Sequence, residues 1–360
     1  MQQFFIRPRI ISGVDSLNYL NKTKAKKAFI VTDAFLVSSH LVDKVVGALP
    51  KEADHYIYSD VKPDPSQELI DAGTEKILAE KPDLVIAFGG GSAIDACKTI
   101  VFQASRSMPR PLFVVIPTTA GTGSEVTNFA IVTRGTKKDV LVDDSLLPDL
   151  ALLDSTFTKS VPANITADTG LDVFTHAVEA YLSTNSSPFT DVFALKAMKD
   201  VLAHLPKVFE DGYKMSSRQK MIEASTMAGI AFTNAGLGII HSLAHIIGGK
   251  FHISHGRLNA IILPYVLDFY IKRSEDVRKR INDLELELGI DKGSFICCYK
   301  ALQKTLKIEG SLAGLNKIFS VDYNNMIEEM AEIALNDRCT PTSPVYVTKQ
   351  DLVNILRDLY

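Results

Sequence analysis

Two pairs of side chains suited to metal ligation stand four residues apart in the second half of this 360-residue chain. Asp172 and His176 occur in TGLDVFTHAVEAY, and His241 and His245 in GIIHSLAHIIGG. On a helix that spacing puts both members of a pair on one face. His255 follows in FHISHG, and six of the chain's eight histidines lie between 176 and 255. A carboxylate with several imidazoles is a donor set that suits Fe(II), Zn(II) and similar divalent ions. A lone histidine on an apolar face is more often an ordinary core residue. Two i,i+4 pairs together with His255, all in apolar surroundings, favour a metal instead. Spacing alone leaves His241, His245 and His255 all open as ligands. His204, in VLAHLP, reads as a core residue, and His252 as either a neighbour of the site or a surface residue. The segments NAGLGIIHSLAH and NAIILPYV are apolar and rich in small residues, so a pocket there would admit a small, mostly uncharged molecule. A metal beside it would polarise an alcohol or carbonyl oxygen.

A second set of residues suits a phosphate-bearing cofactor. GGGS (89–92) follows an apolar, strand-like run and opens a helical one. Glycines let backbone N–H groups approach a phosphate, and the helix N-terminus adds partial positive charge. PTTAGTGSE (117–125) is a second loop of this kind, with hydroxyls from Thr118, Thr119 and Thr122. Two such loops at strand C-termini sit where open α/β sheets bind ligands. The spacing is not that of GxGxxG with an acid about 20 residues on, so this is no ordinary Rossmann fingerprint. Asp33 ends the first strand-like run. Its carboxylate could accept from a ribose hydroxyl and would repel a 2′-phosphate, or it could simply cap the next helix.

The elements that must position these residues fall into two regions. Up to about residue 157, strand-like runs at 28–32, 55–61, 83–89, 112–119 and 151–154 alternate with helical patterns at 63–81 and 92–104. That alternation predicts a doubly wound parallel sheet. Beyond it, helical patterns cover 166–183, 189–205, 217–235, 239–250, 258–271, 275–288, 294–307 and 323–336, with no convincing strand. The reading is an α/β dinucleotide-binding domain over 1–157 and an all-helical metal and substrate domain over 158–360.

These motifs resemble the iron-containing (group III) alcohol dehydrogenase family. VTDAFL, KPDPS, FGGGSAIDACK, PTTAGTGSEVT, TGLDVFTHAVEAY and AGLGIIHSLAHIIGGKFHISHG run in order along nearly the whole length. Within the family the compact chain looks most like the 1-propanol dehydrogenase branch. The resemblance implies a fold like that of dehydroquinate synthase and the iron-type dehydrogenases. It implies iron, with zinc as the alternative, held by Asp172, His176, His241 and His255. His245 becomes a nearby non-ligand in a proton relay, so that His245, Asp172 and His255 carry the catalysis. Gly90, Gly91 and Ser92 would hold the pyrophosphate of NAD, with Asp95 close by. Thr118, Thr119 and Thr127 would line the nicotinamide side, Lys138 the ribose region, and Asp33 would favour NAD over NADP. Phe232 would flank the substrate pocket. The implied reaction interconverts a short-chain primary alcohol and its aldehyde, with propanal reduction foremost and 1,3-propanediol or glycerol as alternative substrates. Two departures stand out. Arg257 replaces the usual Leu or Val and reads as facing solvent, and DRCTPTSPVY (337–346) brings Cys339 toward the pocket.

Composition narrows the classes. Hydrophobic residues are 46% and charged residues 22% of the chain, ordinary globular usage. Net charge is −3, from 39 basic and 42 acidic residues, which argues against nucleic acid as a partner. None of the four cysteines forms a CxxC pair, which suits a reducing compartment. With no secretory pattern and no run of 18 apolar residues, the expected location is cytoplasmic, without a membrane partner. The family resemblance adds homodimers or larger assemblies, with packaging in a bacterial microcompartment as a further expectation. A same-fold lyase would need lysines and arginines around the metal, which the segments near His241 do not supply. A non-catalytic scaffold would leave the Asp/His pairs without purpose.

Overall fold

The structure is a computed structural model that describes residues 3–135, 137–315 and 320–360, without the side chains of Lys137, Lys138 and Ser320. The chain divides into two compact units, 5–161 and 162–360, residues 3 and 4 belonging with the second. The division falls between Val161 and Pro162, where the sequence reading puts it at 157/158.

The first unit is a doubly wound α/β layer structure. Its strands are β1 (Arg9–Ser12), β2 (Lys27–Asp33), β3 (Asp54–Val61), β4 (Leu84–Gly89), β5 (Leu112–Pro117), β6 (Phe129–Arg134), β7 (Lys137–Val142) and β8 (Leu150–Leu153). Its helices are α1 (Ala34–Ser38), α2 (Leu41–Gly47), α3 (Gln67–Glu80) and α4 (Gly91–Ala104). Six strands form a parallel sheet in the order β1-β8-β5-β4-β2-β3, and β6 and β7 pair as a separate antiparallel hairpin. Alternate residues explain why the central strands read as unbroken apolar runs. Phe29, Val31, Val85, Ala87, Phe113 and Val115 pack under α3 and α4. Ala28, Ile30, Ile86, Phe88, Val114 and Ile116 pack under α1 and α2 on the other face. A sheet covered on both sides needs no polar alternation. Gly89 and Pro117 are partners in the β4–β5 register, so the GGGS turn and the PTTAGTG loop leave neighbouring strand ends.

The second unit is helical. It comprises α5 (Ala163–Leu182), α6 (Pro188–Glu210), α7 (Met215–Ala235), α8 (Ile239–Phe251), α9 (His255–Arg273), α10 (Glu275–Leu288), α11 (Phe295–Thr305), α12 (Ser320–Leu335) and α13 (Lys349–Leu359). No strand occurs in it among the described residues, and no helix is long and apolar enough to cross a membrane. Helices α7 and α8 meet at a bend of 106°. Gly236 permits the bend, because its φ of 81° is strained for any side chain. Helix α9 carries Pro264 inside it, so the carbonyl of Ala260 receives no hydrogen bond from position 264. Tyr299 Oη (3.1 Å) and Gln303 Nε2 (2.7 Å), both on α11, donate to that carbonyl instead.

Candidate active site

The site is carried by three helices of the second unit. Asp172 and His176 sit on adjacent turns of α5, His241 lies in the first turn of α8, and His255 begins α9. One ligand atom from each of the four lies within 4.8 Å of all the others. Asp172 Oδ1 is 4.0 Å from His176 Nε2, 3.9 Å from His241 Nε2 and 3.8 Å from His255 Nε2. A tetrahedron with metal bonds of about 2.1 Å has edges of about 3.4 Å, so a small inward shift suffices to hold a cation. Asp172, His176 and His241 are buried, while the His255 side chain is 41% exposed. His255 is thus the candidate ligand on the solvent side.

Asn259 reports on the fit. Its Nδ2 lies 2.7 Å from Asp172 Oδ1, 3.0 Å from His241 Nε2 and 3.1 Å from His255 Nε2. An amide has only two N–H groups for these three acceptors. Electron-pair donors that outnumber the available protons in a buried spot are what a divalent cation requires.

Supporting groups orient the ligands. Glu179 Oε2 lies 2.5 Å from His241 Nδ1, and Glu179 Oε1 accepts from Ile240 N–H at 2.8 Å. Burial pushes the Glu179 carboxyl up to about 8, against the backbone N–H groups of residues 238, 240 and 241. In the tautomer whose Nδ1 hydrogen is donated to Glu179, His241 presents its Nε2 lone pair to the cluster. Burial, followed by the neighbouring imidazoles of His176, His255 and His245, holds His241 well below the usual histidine range. That direction favours the neutral ring a metal would need. Phe232 on α7 stacks on His176 at 4.5 Å between ring centroids and walls the cluster.

His245 belongs to a different group. Its Nδ1 lies 2.9 Å from Asp337 Oδ2, and His245, Asp337 and Cys339 form a second cluster of close donor atoms. Burial alone would raise Asp337, but the hydrogen bond and charge of His245 and the Cys339 N–H hold it at about 2. The ring of His245 stacks on that of His255 at 5.4 Å. Cys339 is buried, and burial pushes its thiol well up. His204 contacts Ser217 Oγ at 3.1 Å, and His252 ends α8 with φ 53°.

Arg257 corrects an expectation. It faces neither pocket nor open solvent, with its side chain only 16% exposed. Its Nε reaches Asp168 Oδ1 on α5 at 2.7 Å, and its Nη1 reaches Glu309 Oε2 at 2.7 Å. The arginine braces the start of α9 against the helix that carries Asp172.

The glycine loops form one cradle in the first unit. A Cβ on Gly91 would lie 2.8 Å from Thr122 Cγ2, and one on Gly90 would lie 3.4 Å from Thr119. Thr119 and Thr122 therefore rest against the turn, and glycine is required for the contact. Ser92 and Thr119 are half-buried, and Thr118 donates its N–H to Gly89 O at 3.0 Å. Asp95 is engaged internally, accepting from Ser124 Oγ (2.6 Å) and Ile131 N (3.1 Å). Thr127 is wholly buried against Lys98. Both hold the loop together rather than presenting a side chain to solvent. Asp33 Oδ1 accepts the Leu36 N–H at 3.0 Å and caps α1 from the end of β2. The Lys138 side chain lies outside the described residues.

Glu179 and Asn259 went unread in the sequence, although each carries a signal. Glu179 is seven residues after Asp172, on the same helical face, and Asn259 is four after His255.

Comparison with known proteins agrees with this geometry. A family model described as "Iron-containing alcohol dehydrogenase" matches residues 8–155, and one described as "Fe-containing alcohol dehydrogenase family, C-terminal" matches 166–360. The chain belongs to the iron-containing alcohol dehydrogenase family. It is 45% identical to 1-propanol dehydrogenase PduQ of Citrobacter freundii over 75% of this chain and 74% of that one. It is 38% identical to 1-propanol dehydrogenase PduQ of Salmonella typhimurium over the full length of both. Sulfoacetaldehyde reductase from Bifidobacterium kashiwanohense, solved in complex with NAD+, is similar at a TM-score of 0.92 and 26% identity, covering 100% of this chain and 98% of that one. As a member of this family the chain is an enzyme, an oxidoreductase of the nicotinamide-dependent, iron-type alcohol dehydrogenase class.

Proposed function

We propose that this enzyme reduces propanal or a similar short-chain aldehyde to the primary alcohol with NADH, and runs the reverse oxidation when alcohol is in excess. The observation that carries the reading is the convergence of Asp172, His176, His241 and His255 in an apolar setting. When bound, Fe(II) supplies Lewis acidity toward the substrate oxygen and the nicotinamide supplies the hydride. The chain's own residues do the rest. Asp172 offsets one positive charge, and Glu179 fixes the tautomer of His241. Asp337 holds His245 by Nδ1, leaving Nε2 as the nitrogen to give or take the hydroxyl proton. Phe232 excludes water beside His176. The side chains touching the ligands include Glu179, Phe232, His245 and Asn259, none of them a lysine or arginine, which supports an uncharged substrate over the phosphorylated acids of a lyase. Gly90, Gly91, Ser92, Thr118 and Thr119 would receive the dinucleotide, and Lys138 its ribose region.

The test is an anaerobic assay of iron-loaded protein with NADH and NADPH against propanal, ethanal, 3-hydroxypropanal and dihydroxyacetone. NADH with propanal or ethanal should give the highest kcat/KM. Best turnover of dihydroxyacetone would move the reading to glycerol oxidation. Asp33→Ala should raise kcat/KM for NADPH about tenfold, since a carboxylate at this half-exposed position repels a 2′-phosphate by roughly 1–2 kcal/mol. A wild-type preference for NADPH would remove the role given to Asp33. We further propose a cytoplasmic homodimer or larger assembly, with microcompartment packaging tested by co-purification with shell proteins.

A further inference from the structure

Lys98 is a buried cation that the proposed reaction does not use. It lies on α4, seven residues after the first residue of the helix, and is 0% exposed. Its Nζ contacts four acceptors: Ser124 Oγ (3.1 Å), Thr127 O (2.8 Å), Thr127 Oγ1 (2.8 Å) and Phe129 O (2.9 Å). All four belong to one short segment that follows the PTTAGTG loop. Asp95, one turn earlier on α4, binds the same segment through Ser124 Oγ and Ile131 N. Ser124 Oγ therefore sits between the ammonium and the carboxylate. Burial pushes the lysine down to about 8, with Asp95 and Glu125 opposing. A buried charge is costly and persists only where its partners are fixed.

The two ends of this arrangement matter. Helix α4 starts at the Gly90–Gly91 turn, and the pinned segment continues directly from Thr119 and Thr122, which lie against that turn. We infer that Lys98 is a positioning residue for dinucleotide binding: its ammonium fastens segment 124–129 to α4 and so holds the threonine loop against the glycine turn. This rests on the reading of that turn as the pyrophosphate site.

Lys98→Met keeps the length of the side chain and removes the donor. Titration of iron-loaded protein with NADH, read by nicotinamide fluorescence, should show Kd raised about tenfold or more, in line with several buried acceptors losing their partner. Iron content and the KM for propanal should stay within about twofold of wild type, because the ligands sit on other helices. A folded Lys98→Met protein with NADH affinity within about twofold of wild type overturns the inference. So does a variant whose iron retention falls in step with its NADH affinity, since that marks general loosening. If Lys98→Met does not fold, Ser124→Ala decides. It removes only the hydroxyl shared by Lys98 and Asp95, and should raise the NADH Kd about threefold; no change overturns the inference. A wild-type protein that fails to bind NADH would sink the nucleotide reading itself, and this inference with it.

Discussion

Replacing His255 by alanine should strip the protein of iron and cut aldehyde reduction by roughly 10³-fold or more. The loss corresponds to the several kcal/mol of polarisation that a bound cation contributes at the substrate oxygen. His255 is the most exposed of the four candidate ligands and begins its helix, so its removal leaves the buried trio of Asp172, His176 and His241 largely in place. The fold should therefore survive. The variant should still bind NADH within about twofold of wild type, since every residue of the glycine cradle lies in the other compact unit. Metal analysis after gel filtration, paired with NADH titration, checks both halves. Full activity in this variant would show that the donor set has been assigned wrongly.

Gly256→Ala should be nearly as damaging, although glycine itself gives no donor atom to the cluster. A Cβ there would lie 2.3 Å from the carbonyl oxygen of Asp168 and 2.8 Å from its carbon, and would also press on Asp172 Cβ at 3.2 Å. The obstacle is backbone in the middle of a buried helix, so no rotamer change relieves it. Overpacking of this kind costs about 1–3 kcal/mol or more. The start of α9 must move off α5, carrying His255 with it and straining the Arg257–Asp168 pair. Iron should leave to a chelator about ten times faster or more, with a lowered Tm. Gly249→Ala is the control, because a Cβ at that position meets nothing within 4 Å. Equal iron release from the two variants would remove the steric argument.

Much of this architecture could be read before any coordinates. The strands β2, β4 and β5 announce themselves because both faces are buried, and the helices bearing the ligands because apolar spacing is strong around them. The hairpin β6–β7 did not, since its sequence is interrupted by Arg134, Gly135 and paired lysines and its strands alternate only weakly. The strand β1 is four residues long at a sheet edge, and α1 and α2 are single-turn or two-turn helices, too short for periodicity to register. Helix α13 was missed although Thr348 and Asp351 form a capping box at its start. At the site, residue type and spacing proposed the donors but could not separate His245 from the others. That separation depends on Asp337, 92 positions further along the chain. Arg257 defeated the local reading for the same reason, its partners being 89 residues before it and 52 after it. Lys98 looked like any helical lysine, because nothing nearby in sequence says that four acceptors close over it.

The proline within α9 has a bearing on how this helix could be altered. Replacing a mid-helix proline by alanine ordinarily repairs a backbone gap and stabilises a protein. Here the stray oxygen of Ala260 has been recruited as a mooring for Tyr299 and Gln303. Mending the gap would set a new amide in competition with that mooring and leave two enclosed polar side chains, 1% and 4% exposed, seeking company elsewhere. Engineers seeking a hardier enzyme would do well to leave this apparent flaw untouched, because α11 is tied to the helix of His255 through it.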